Sequence, residues 1–250
     1  MPVSKSSISF ANLGGVAHKV YRLLPIRLKC FVLSRMKRNL LAKYKNVCIH
    51  PSAQILGVAN VAIGSNTVIG ADCWLNVNHR TRDVRSIVIG NNCFIGRRNF
   101  FSSGRLIELG SFVLTANDCQ FLGSSHIFDN PMVPCIISGT TSHDVISIGH
   151  NTFLGAGVRV LGSVSIGHGC VIGAGSLVTN DVPPFSQAFG TPARVYRRFS
   201  FAANKWLLLK DYSEEDDNSC PSPEEYLATL SLHSPLEMPY IAAGSDMGHL

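Results

Sequence analysis

The chain has 250 residues, of which 46% are hydrophobic and 15% charged, so it is long for one ordinary domain and short for two. Its net charge of +6 hides an asymmetry: residues 1–71 contain ten Lys and Arg and no acid, whereas residues 199–250 contain nine acids and two Lys. The eight Cys form no Cys-x-x-Cys pair and no His/Cys cluster with zinc spacing. This excludes the common zinc motifs and indicates structural thiols kept reduced, as in the cytoplasm.

The first predicted element is a basic helical segment over residues 1–46. Basic and apolar residues interleave between residues 19 and 45, and Arg22, Arg27 and Lys29 interrupt any run long enough to cross a bilayer. The segment also lacks the uninterrupted apolar core and the small-residue cleavage site of a signal peptide. Two interpretations stay open: a helix that caps the repeats that follow, which we favour, and a peripheral contact with anionic lipid.

Residues 47–198 carry a six-residue repeat. In its last part an aliphatic side chain recurs at every sixth position, usually before a small residue or Gly: Ile148, Leu154, Val160, Ile166, Ile172 and Val178. No helix has this period and a lone strand has a period of two, so the repeat predicts a β-solenoid of short strands and tight turns. With three repeats to a triangular coil, residues 49–182 should form about seven coils, in which the repeat Gly turns the corner at positive φ.

The repeat is interrupted at several points. Its frame shifts by two residues before Ile63 and again before Leu109, and a polar, Arg-rich insertion occupies residues 78–86. Residues 127–146 lose the period and contain two Pro, which excludes regular strand pairing and predicts an excursion loop.

The tail at residues 199–250 is predicted to be an acidic extension outside the repeats. An acidic loop is expected at residues 211–217, and a short helix with acids in its first turn is expected at residues 223–230.

The run Ile148–Val182, followed by Gly190-Thr191-Pro192-Ala193-Arg194-Val195, resembles the hexapeptide-repeat acyltransferases, and within them the sugar and polysaccharide O-acetyltransferases. The resemblance implies an all-β fold, the left-handed parallel β-helix, assembled as a homotrimer. Rules for ordinary crossovers would favour the right hand, so the left hand rests on the resemblance alone.

The same resemblance implies a function. It indicates acetyl-CoA as co-substrate, no metal and no nucleic-acid partner, and a carbohydrate acceptor that is nucleotide-linked, lipid-linked or polymeric. The expected setting is synthesis of capsule, O-antigen or another surface polysaccharide, in the cytoplasm or at the inner face of the membrane.

Acetyl transfer to a hydroxyl needs a base for the hydroxyl proton, and a neutral imidazole is well matched to that task. The resemblance assigns this base to His126, directly before the excursion loop, with Asp129 or a backbone carbonyl to orient the ring. His79 is the competing base and otherwise lines the acceptor site, whereas His143 is expected to have a local role in the loop. No Ser or Cys has a base at motif spacing, which favours direct attack on the thioester.

Binding residues follow from the resemblance position by position. The cofactor set comprises Phe153, Ala156, Ala174, Thr179, Asn180, Arg194 and Arg197, and the two Arg are expected near the adenosine 3′-phosphate. The acceptor set comprises His79, Ser103 and Arg105. Ser103 stands near the place of an Asn that helps hold the sugar in the maltose and galactoside branch.

Alternatives stay open. Within the enzymes they are an antibiotic-type or serine-type acetyltransferase, and outside them a non-catalytic β-helix scaffold. The γ-class carbonic anhydrases share the coil and bind zinc with a closely spaced His pair and a third His from another coil, and the nearest spacing here, His143 to His150, does not match. His150 and His168 are 18 residues apart. Because three repeats separate these two His, they are expected to stack on equivalent corners of adjacent coils.

Overall fold

The repeats fold into a solenoid of short parallel strands that wind around three flat faces. A computed structural model describes residues 46–233, so the predicted basic segment at residues 1–46, apart from Asn46, and its membrane contact at residues 19–45 lie outside the described residues. Each coil contributes one strand to each face, and strands of successive coils pair in parallel. The fold is the predicted left-handed parallel β-helix of the all-β class.

The three faces are named A, B and C in the order in which the chain visits them. Face A holds β1 (Val47–Ile49), β4 (Thr67–Ile69), β7 (Phe94–Ile95), β10 (Leu114–Thr115), β13 (Phe153–Leu154) and β16 (Val171–Ile172). Face B holds β2 (Gln54–Leu56), β5 (Trp74–Val77), β8 (Phe100–Ser103), β11 (Gln120–Leu122), β14 (Arg159–Leu161) and β17 (Leu177–Val178). Face C holds β3 (Val61–Ile63), β6 (Ile87–Ile89), β9 (Leu106–Leu109), β12 (Val145–Ile148) and β15 (Val164–Ile166).

These strands make six coils rather than about seven, and the sixth closes on face C through a single bridge between Ile166 and Val182. The edges where the chain passes between faces are the A/B, B/C and C/A corners. The predicted interruptions all lie at the B/C corner, where the chain passes from β2 to β3, from β5 to β6, from β8 to β9 and from β11 to β12.

The strand register explains the frame shifts found in the sequence. Phe153 pairs with Val171, which lies three repeats later, and this is the regular coil length. In the pairs Phe94 with Leu114 and Val47 with Thr67 the partner lies beyond three repeats, so the first and third coils contain the two predicted shifts. The coil that contains the loop is the longest, because Leu114 pairs with Phe153 and the whole excursion lies between them.

The core is built from columns of inward side chains. Behind face B the column comprises Ile55, Leu75, Phe101, Phe121, Val160 and Val178, and the rings of Phe101 and Phe121 stack at 4.5 Å. Inward corner positions hold four buried Cys, among them Cys170, as predicted: Cys73, Cys93, Cys119 and Cys170. Burial raises the pKa of each of these thiols to about 11, so they stay protonated and serve as small core side chains.

The role predicted for the repeat Gly is wrong. Glycines such as Gly155 do not have positive φ, and they are needed because a Cβ there would lie 2.6 Å from the backbone nitrogen of Ala174 in the next coil. The positive φ falls two residues later, at Gly157 in this repeat and at Asn or Asp in others, for example Asn92. Asn and Asp tolerate this left-handed conformation better than most residues.

The C-terminal part extends face A by three strands, of which the first is parallel to β16 and the next two are antiparallel to their neighbours. Strands β18 (Ser186–Gly190), β19 (Ala193–Ser200) and β20 (Lys205–Leu208) follow β16 in order, so the predicted boundary at 198/199 falls inside a strand. Two helices follow, α1 (Glu214–Asn218) and α2 (Pro223–Ser231), each with a Ser capping box. The helix expected at residues 223–230 is confirmed, whereas most of the acidic loop expected at residues 211–217 is helical. Short 3₁₀ turns lie at Val58–Asn60, Cys135–Ile137 and Leu209–Asp211.

Candidate active site

The B/C corner gathers four of the residues singled out in the sequence. His79 lies in the insertion after β5, Ser103 and Arg105 border the turn after β8, and His126 follows β11. These positions belong to three successive coils, and strands of neighbouring coils are about 4.8 Å apart. The loop between β11 and β12, residues 123–144, therefore emerges beside the insertion at residues 78–86.

His126 lies at the foot of this loop, where the two arms of the loop pair. It forms an antiparallel bridge with Thr140, and next to it the Thr141 N–H donates to the Ser125 carbonyl at 2.8 Å and the Ile127 N–H donates to the Gly139 carbonyl at 3.1 Å. This pairing fixes the backbone of His126, while its side chain stays exposed. Within residues 46–233 the imidazole makes no hydrogen bond, so both ring nitrogens are open to a reactant.

Asp129 does not orient His126 in this structure. In the described part of the chain neither a hydrogen bond nor an ion pair joins the two side chains, and both are exposed. Nor does a backbone carbonyl among residues 46–233 accept a hydrogen bond from the ring. The paired backbone at the foot of the loop fixes where the side chain of His126 starts.

His79 holds the loop in place. Its Nε2 lies 3.0 Å from the Thr141 carbonyl oxygen and 3.1 Å from Thr140 Oγ1. Because a carbonyl can only accept, Nε2 carries the proton and donates to Thr141, which leaves this nitrogen unable to act as a base. His79 thus contacts the residue that bridges to His126, which makes it a positioning residue; no signal in the sequence pointed to this contact, 61 and 62 residues away.

The predicted acceptor residues differ in what they offer. Ser103 is fully buried, and its Oγ faces the Asn76 carbonyl oxygen at 3.5 Å, so its side chain has no surface for an acceptor. Arg105 is exposed, and its backbone N–H donates to Asp144 at the far end of the loop. Asn78 was not anticipated as a site residue; its side-chain amide donates to Ser102 Oγ at 2.9 Å on the same corner.

The predicted cofactor residues occupy two corners. Ala156 and Ala174 lie exposed at the A/B corner of adjacent coils. Thr179 and Asn180 lie at the B/C corner of the sixth coil, with the Thr179 hydroxyl 3.1 Å from Asn180 Oδ1. On the fifth and sixth coils the A/B corner carries only Gly and Ala, which leaves the backbone there accessible to an extended ligand.

The arginines of β19 divide into exposed and buried ones. Arg194 and Arg197 are exposed, and Arg197 lies 5.5 Å from the centroid of the Tyr196 ring. Tyr196 packs against Phe189 at 5.5 Å, and this exposed aromatic pair beside the two Arg was not anticipated from the sequence. Together these side chains offer stacking surface and positive charge at one end of the A/B corner.

Arg198 is structural. It is buried, its guanidinium pairs with Asp217 at 2.6 Å and donates to the Pro184 carbonyl at 3.2 Å, and it lies 4.4 Å from the centroid of the Tyr212 ring. These contacts tie α1 to the end of the solenoid.

Phe153 lines an aromatic cavity of about 440 Å³ on the C/A side of face A. Its walls include Val171, Phe199, Trp206 and Tyr226. Phe153, which was predicted to contact the cofactor, therefore lies on a different side of face A from Ala156 and Ala174.

His150 and His168 stack on the C/A corner of adjacent coils, as predicted, since the Gly169 N–H donates to the His150 carbonyl at 2.8 Å. Burial lowers the pKa of both rings, which keeps them neutral near pH 7. Tyr226 of α2 covers His168, with ring centroids 5.5 Å apart. Among residues 46–233 no group of three His, Cys, Asp or Glu is arranged to hold a metal ion. In the same range no helix is long and apolar enough to cross a membrane.

Comparison with known proteins decides the family. Residues 146–180 match the family described as bacterial transferase hexapeptide (six repeats). The galactoside O-acetyltransferase of Escherichia coli (strain K12) is 33% identical over 188 residues, which cover 72% of this chain and 76% of that protein. This chain belongs to the hexapeptide-repeat acyltransferases. It is an O-acetyltransferase of the branch that contains the sugar O-acetyltransferases.

Other relatives agree with this family. The galactoside O-acetyltransferase of Lactococcus lactis is 35% identical over 131 residues, covering 45% of this chain and 63% of that protein. Among solved structures, a variant of AntD, an N-acyltransferase from Bacillus cereus in complex with dTDP and coenzyme A, superposes with a TM-score of 0.51 at 20% identity. That match covers 63% of this chain and 86% of AntD, and it supports the fold.

Proposed function

We propose that this acetyltransferase moves the acetyl group of acetyl-CoA to a carbohydrate hydroxyl, with His126 as general base. The observation that carries the proposal is the position of His126: an exposed imidazole without a hydrogen bond inside residues 46–233, on a backbone fixed by the bridge to Thr140. The carbohydrate class is supported by the galactoside O-acetyltransferases among the relatives.

The reaction is a direct displacement. The imidazole removes the proton of the acceptor hydroxyl while the hydroxyl oxygen attacks the thioester carbonyl carbon. The tetrahedral intermediate collapses with cleavage of the carbon–sulfur bond, and the imidazolium returns its proton to the departing thiolate of CoA. Atoms and charge balance without an acyl-enzyme.

The cofactor is proposed to lie along the A/B corner. Its pantetheine arm passes Ala156 and Ala174, and its nucleotide end lies at Arg194 and Arg197, where charge-assisted hydrogen bonds suit phosphate. Adenine is expected to stack on the exposed Phe189–Tyr196 pair. Replacing either Arg by Ala is expected to raise the KM for acetyl-CoA about tenfold, the loss of roughly one charge-assisted hydrogen bond.

The site is proposed to close between copies of the chain. His126 lies on the B/C corner and Ala156 on the A/B corner, with the width of face B between them. Crossing that face takes about six residues at 3.3 Å each, or roughly 20 Å, so the two corners of one chain do not meet. A ring of identical copies brings the B/C corner of one to the A/B corner of the next, which supports the homotrimer.

The acceptor is proposed to be a precursor or segment of a surface polysaccharide, acetylated in the cytoplasm or at the inner face of the membrane. Arg105, exposed on the same corner as His126, suits an acceptor that carries an anionic group, as a nucleotide-linked or lipid-linked sugar does. The alternative acceptors for the same acetyl-transfer reaction are those of the antibiotic-type and serine-type acetyltransferases.

The decisive experiment is an acceptor screen with acetyl-CoA, read by release of free thiol. With the best acceptor, His126→Ala should lower kcat at least 100-fold, the usual contribution of a general base. His143→Ala is the matched control, since it removes another exposed His of the same loop, and should retain the rate within about twofold. If His126→Ala keeps the wild-type rate, the proposed base is wrong; if thiol is released only with acceptors that are not carbohydrates, the proposed acceptor class is wrong.

A further inference from the structure

The aromatic cavity on the C/A side of face A lies outside the coil and has a volume of about 440 Å³. Its floor is formed by outward side chains of face A and its extension, among them Phe153, Val171, Phe199 and Trp206. Tyr226 of α2 forms one wall. Recesses of about 300–1,000 Å³ with mostly apolar and aromatic walls are typical of sites for small molecules.

The rings around the cavity hold one another in place. The ring centroid of Phe185 lies 4.6 Å from that of Phe201 and 4.9 Å from that of Tyr226, and both contacts are edge to face. Phe199 makes the same kind of contact with Phe201 at 5.1 Å and with Trp206 at 5.5 Å. A ligand therefore meets a preformed surface, which reduces the conformational entropy that is lost on binding.

The cavity carries no charge near pH 7. Of the described residues that line it, none is Lys, Arg, His, Asp or Glu. Burial raises the pKa of the Cys170 thiol to about 11, and burial also raises the pKa of the Tyr226 hydroxyl, so both groups stay neutral. A charged ligand would lose its hydration here without gaining an opposite charge, so the walls favour a neutral one.

One edge of the cavity offers a hydrogen-bond donor and an acceptor side by side. Asn151 Nδ2 donates to the Tyr226 hydroxyl oxygen at 2.6 Å. Within residues 46–233 the hydrogen of this hydroxyl and Oδ1 of Asn151 have no protein partner. The hydroxyl lies close to Gly169 in the cavity wall, since a Cβ on that residue would be 3.2 Å from it. A hydroxyl group on a ligand can accept from Tyr226 and donate to Asn151.

We propose that this cavity binds a neutral aromatic molecule that carries a hydroxyl group. A dry protein cavity of about 150 Å³ holds one benzene ring, so a volume of about 440 Å³ accommodates roughly two fused rings with a substituent. The aromatic walls favour an aromatic ligand over an aliphatic one, because stacked and edge-to-face ring pairs stabilise a complex beyond the area that they bury.

This site is separate from the one proposed for acetyl transfer. The C/A corner is the edge of the solenoid opposite face B, whereas His126 lies on the B/C corner and Ala156 on the A/B corner. A ring of copies that joins the B/C and A/B corners leaves the C/A corner on its outside. The cavity therefore stays open in that assembly, and the proposal does not depend on the proposed function.

Binding of 2-naphthol to the full chain tests the site. Equilibrium dialysis should give one site per chain with a Kd of about 10–100 μM, a reasonable affinity for a ligand of this size. The anion 2-naphthoate has the same rings and should bind at least about tenfold more weakly, because the cavity offers no cation. Saturating acetyl-CoA should leave the Kd of 2-naphthol within about twofold, since the two sites are separate.

Two variants of matched design locate the site. Val171→Phe places a ring in the floor of the cavity and should abolish binding of 2-naphthol up to about 1 mM. Val68→Phe is the control, because Val68 is also half-buried and stands in the same outward column of face A, on the second coil. This variant should keep the wild-type Kd.

A third variant tests the hydrogen bond without filling the cavity. Tyr226→Phe keeps the ring and removes the hydroxyl, so it should weaken binding of 2-naphthol about five- to tenfold, the loss of one hydrogen bond, and leave binding of naphthalene unchanged. If circular dichroism shows that Val171→Phe does not fold, this pair of ligands decides the question.

Other results would overturn the proposal. They are no binding of 2-naphthol to the full chain up to about 1 mM, or equal weakening by Val171→Phe and Val68→Phe, which would show non-specific binding. Displacement by acetyl-CoA would assign the cavity to the cofactor. Tighter binding of 1-decanol than of 2-naphthol would make the cavity a site for an aliphatic chain.

Discussion

Replacing His79 by Ala separates a positioning role from a catalytic one. The single Nε2–H of the ring faces two oxygens of the loop, the Thr141 carbonyl at 3.0 Å and Thr140 Oγ1 at 3.1 Å. Losing this half-buried donor, with its two loop oxygens left without it, should destabilise the placed loop by about 1–2 kcal/mol. Because about 1.4 kcal/mol corresponds to a factor of ten, the competent population should fall about 5–30-fold.

The assay is steady-state acetyl transfer with free-thiol detection over a range of pH. We expect kcat/KM for the acceptor to fall about 5–30-fold, while the KM for acetyl-CoA stays within about twofold, since the A/B corner is untouched. The pH profile should keep its shape, because the reacting base is unchanged. His79→Gln retains a donor of similar reach and should recover part of the loss.

A different outcome would refute this reasoning. If His79→Ala lost 100-fold or more in kcat, together with the limb of the pH profile that reports the base, His79 itself would be the base. In that case His126→Ala should be nearly as active as the wild type. If the His79→Ala and His126→Ala enzymes both lost activity and His79→Ala also melted at a much lower temperature, the insertion would be needed for folding rather than for placing the loop.

Three further changes test the fold. Phe101→Ala should lower the free energy of unfolding by about 3–5 kcal/mol, seen in urea titration, because the ring is fully buried and stacks on Phe121 at 4.5 Å; a loss below about 1 kcal/mol would contradict the packing. Arg198→Met removes the 2.6 Å pair with Asp217 and should expose the C-terminal extension to limited proteolysis at least several-fold faster, whereas an unchanged cleavage rate would argue against the tie. Burial lowers the pKa of His168 below its ordinary value of 6.5, so on acidification the unfolded chain takes up the proton before the folded one does. The contribution of the neutral ring to the free energy of unfolding is therefore present above pH 6.5 and is lost below it. His168→Phe should reduce the change of the urea midpoint between about pH 7.5 and pH 5, and an unchanged pH dependence would refute the assignment.

The wall of the solenoid was predictable because its rule is local. An inward aliphatic side chain at every sixth position, such as Ile148 or Ile172, needs only its own repeat and the next coil to be buried. The two shifts of the repeat frame were also predictable, because two extra residues in a coil move the next inward aliphatic position by two residues in the sequence. What the period does not encode is the conformation of each corner residue, which is why positive φ was assigned to the wrong position.

The extension beyond the repeats was predicted less well, for a physical reason. Ala193–Ser200 is a strand that pairs along face A. Its alternation of Arg and apolar residues also fits a solvated basic end, and the sequence alone does not identify the partner strands that decide between the two. Arg198 is buried only because Asp217 and Tyr212 arrive from later in the chain. Contacts of this range depend on the tertiary fold and leave no periodic signal.

The site follows from where the repeat fails. Within the coils, inward positions are aliphatic or small, and such a wall has no group that can take up or release a proton near pH 7. Acid–base chemistry must therefore come from residues that the period does not control. All four longer coils take their extra residues at the B/C corner, and the two largest additions contain His79 and His126. His79 contacts the segment that bridges to His126, so the two interruptions form one structural unit. A change in the length of either insertion should therefore lower the rate of acetyl transfer while leaving the stability of the coil nearly unchanged.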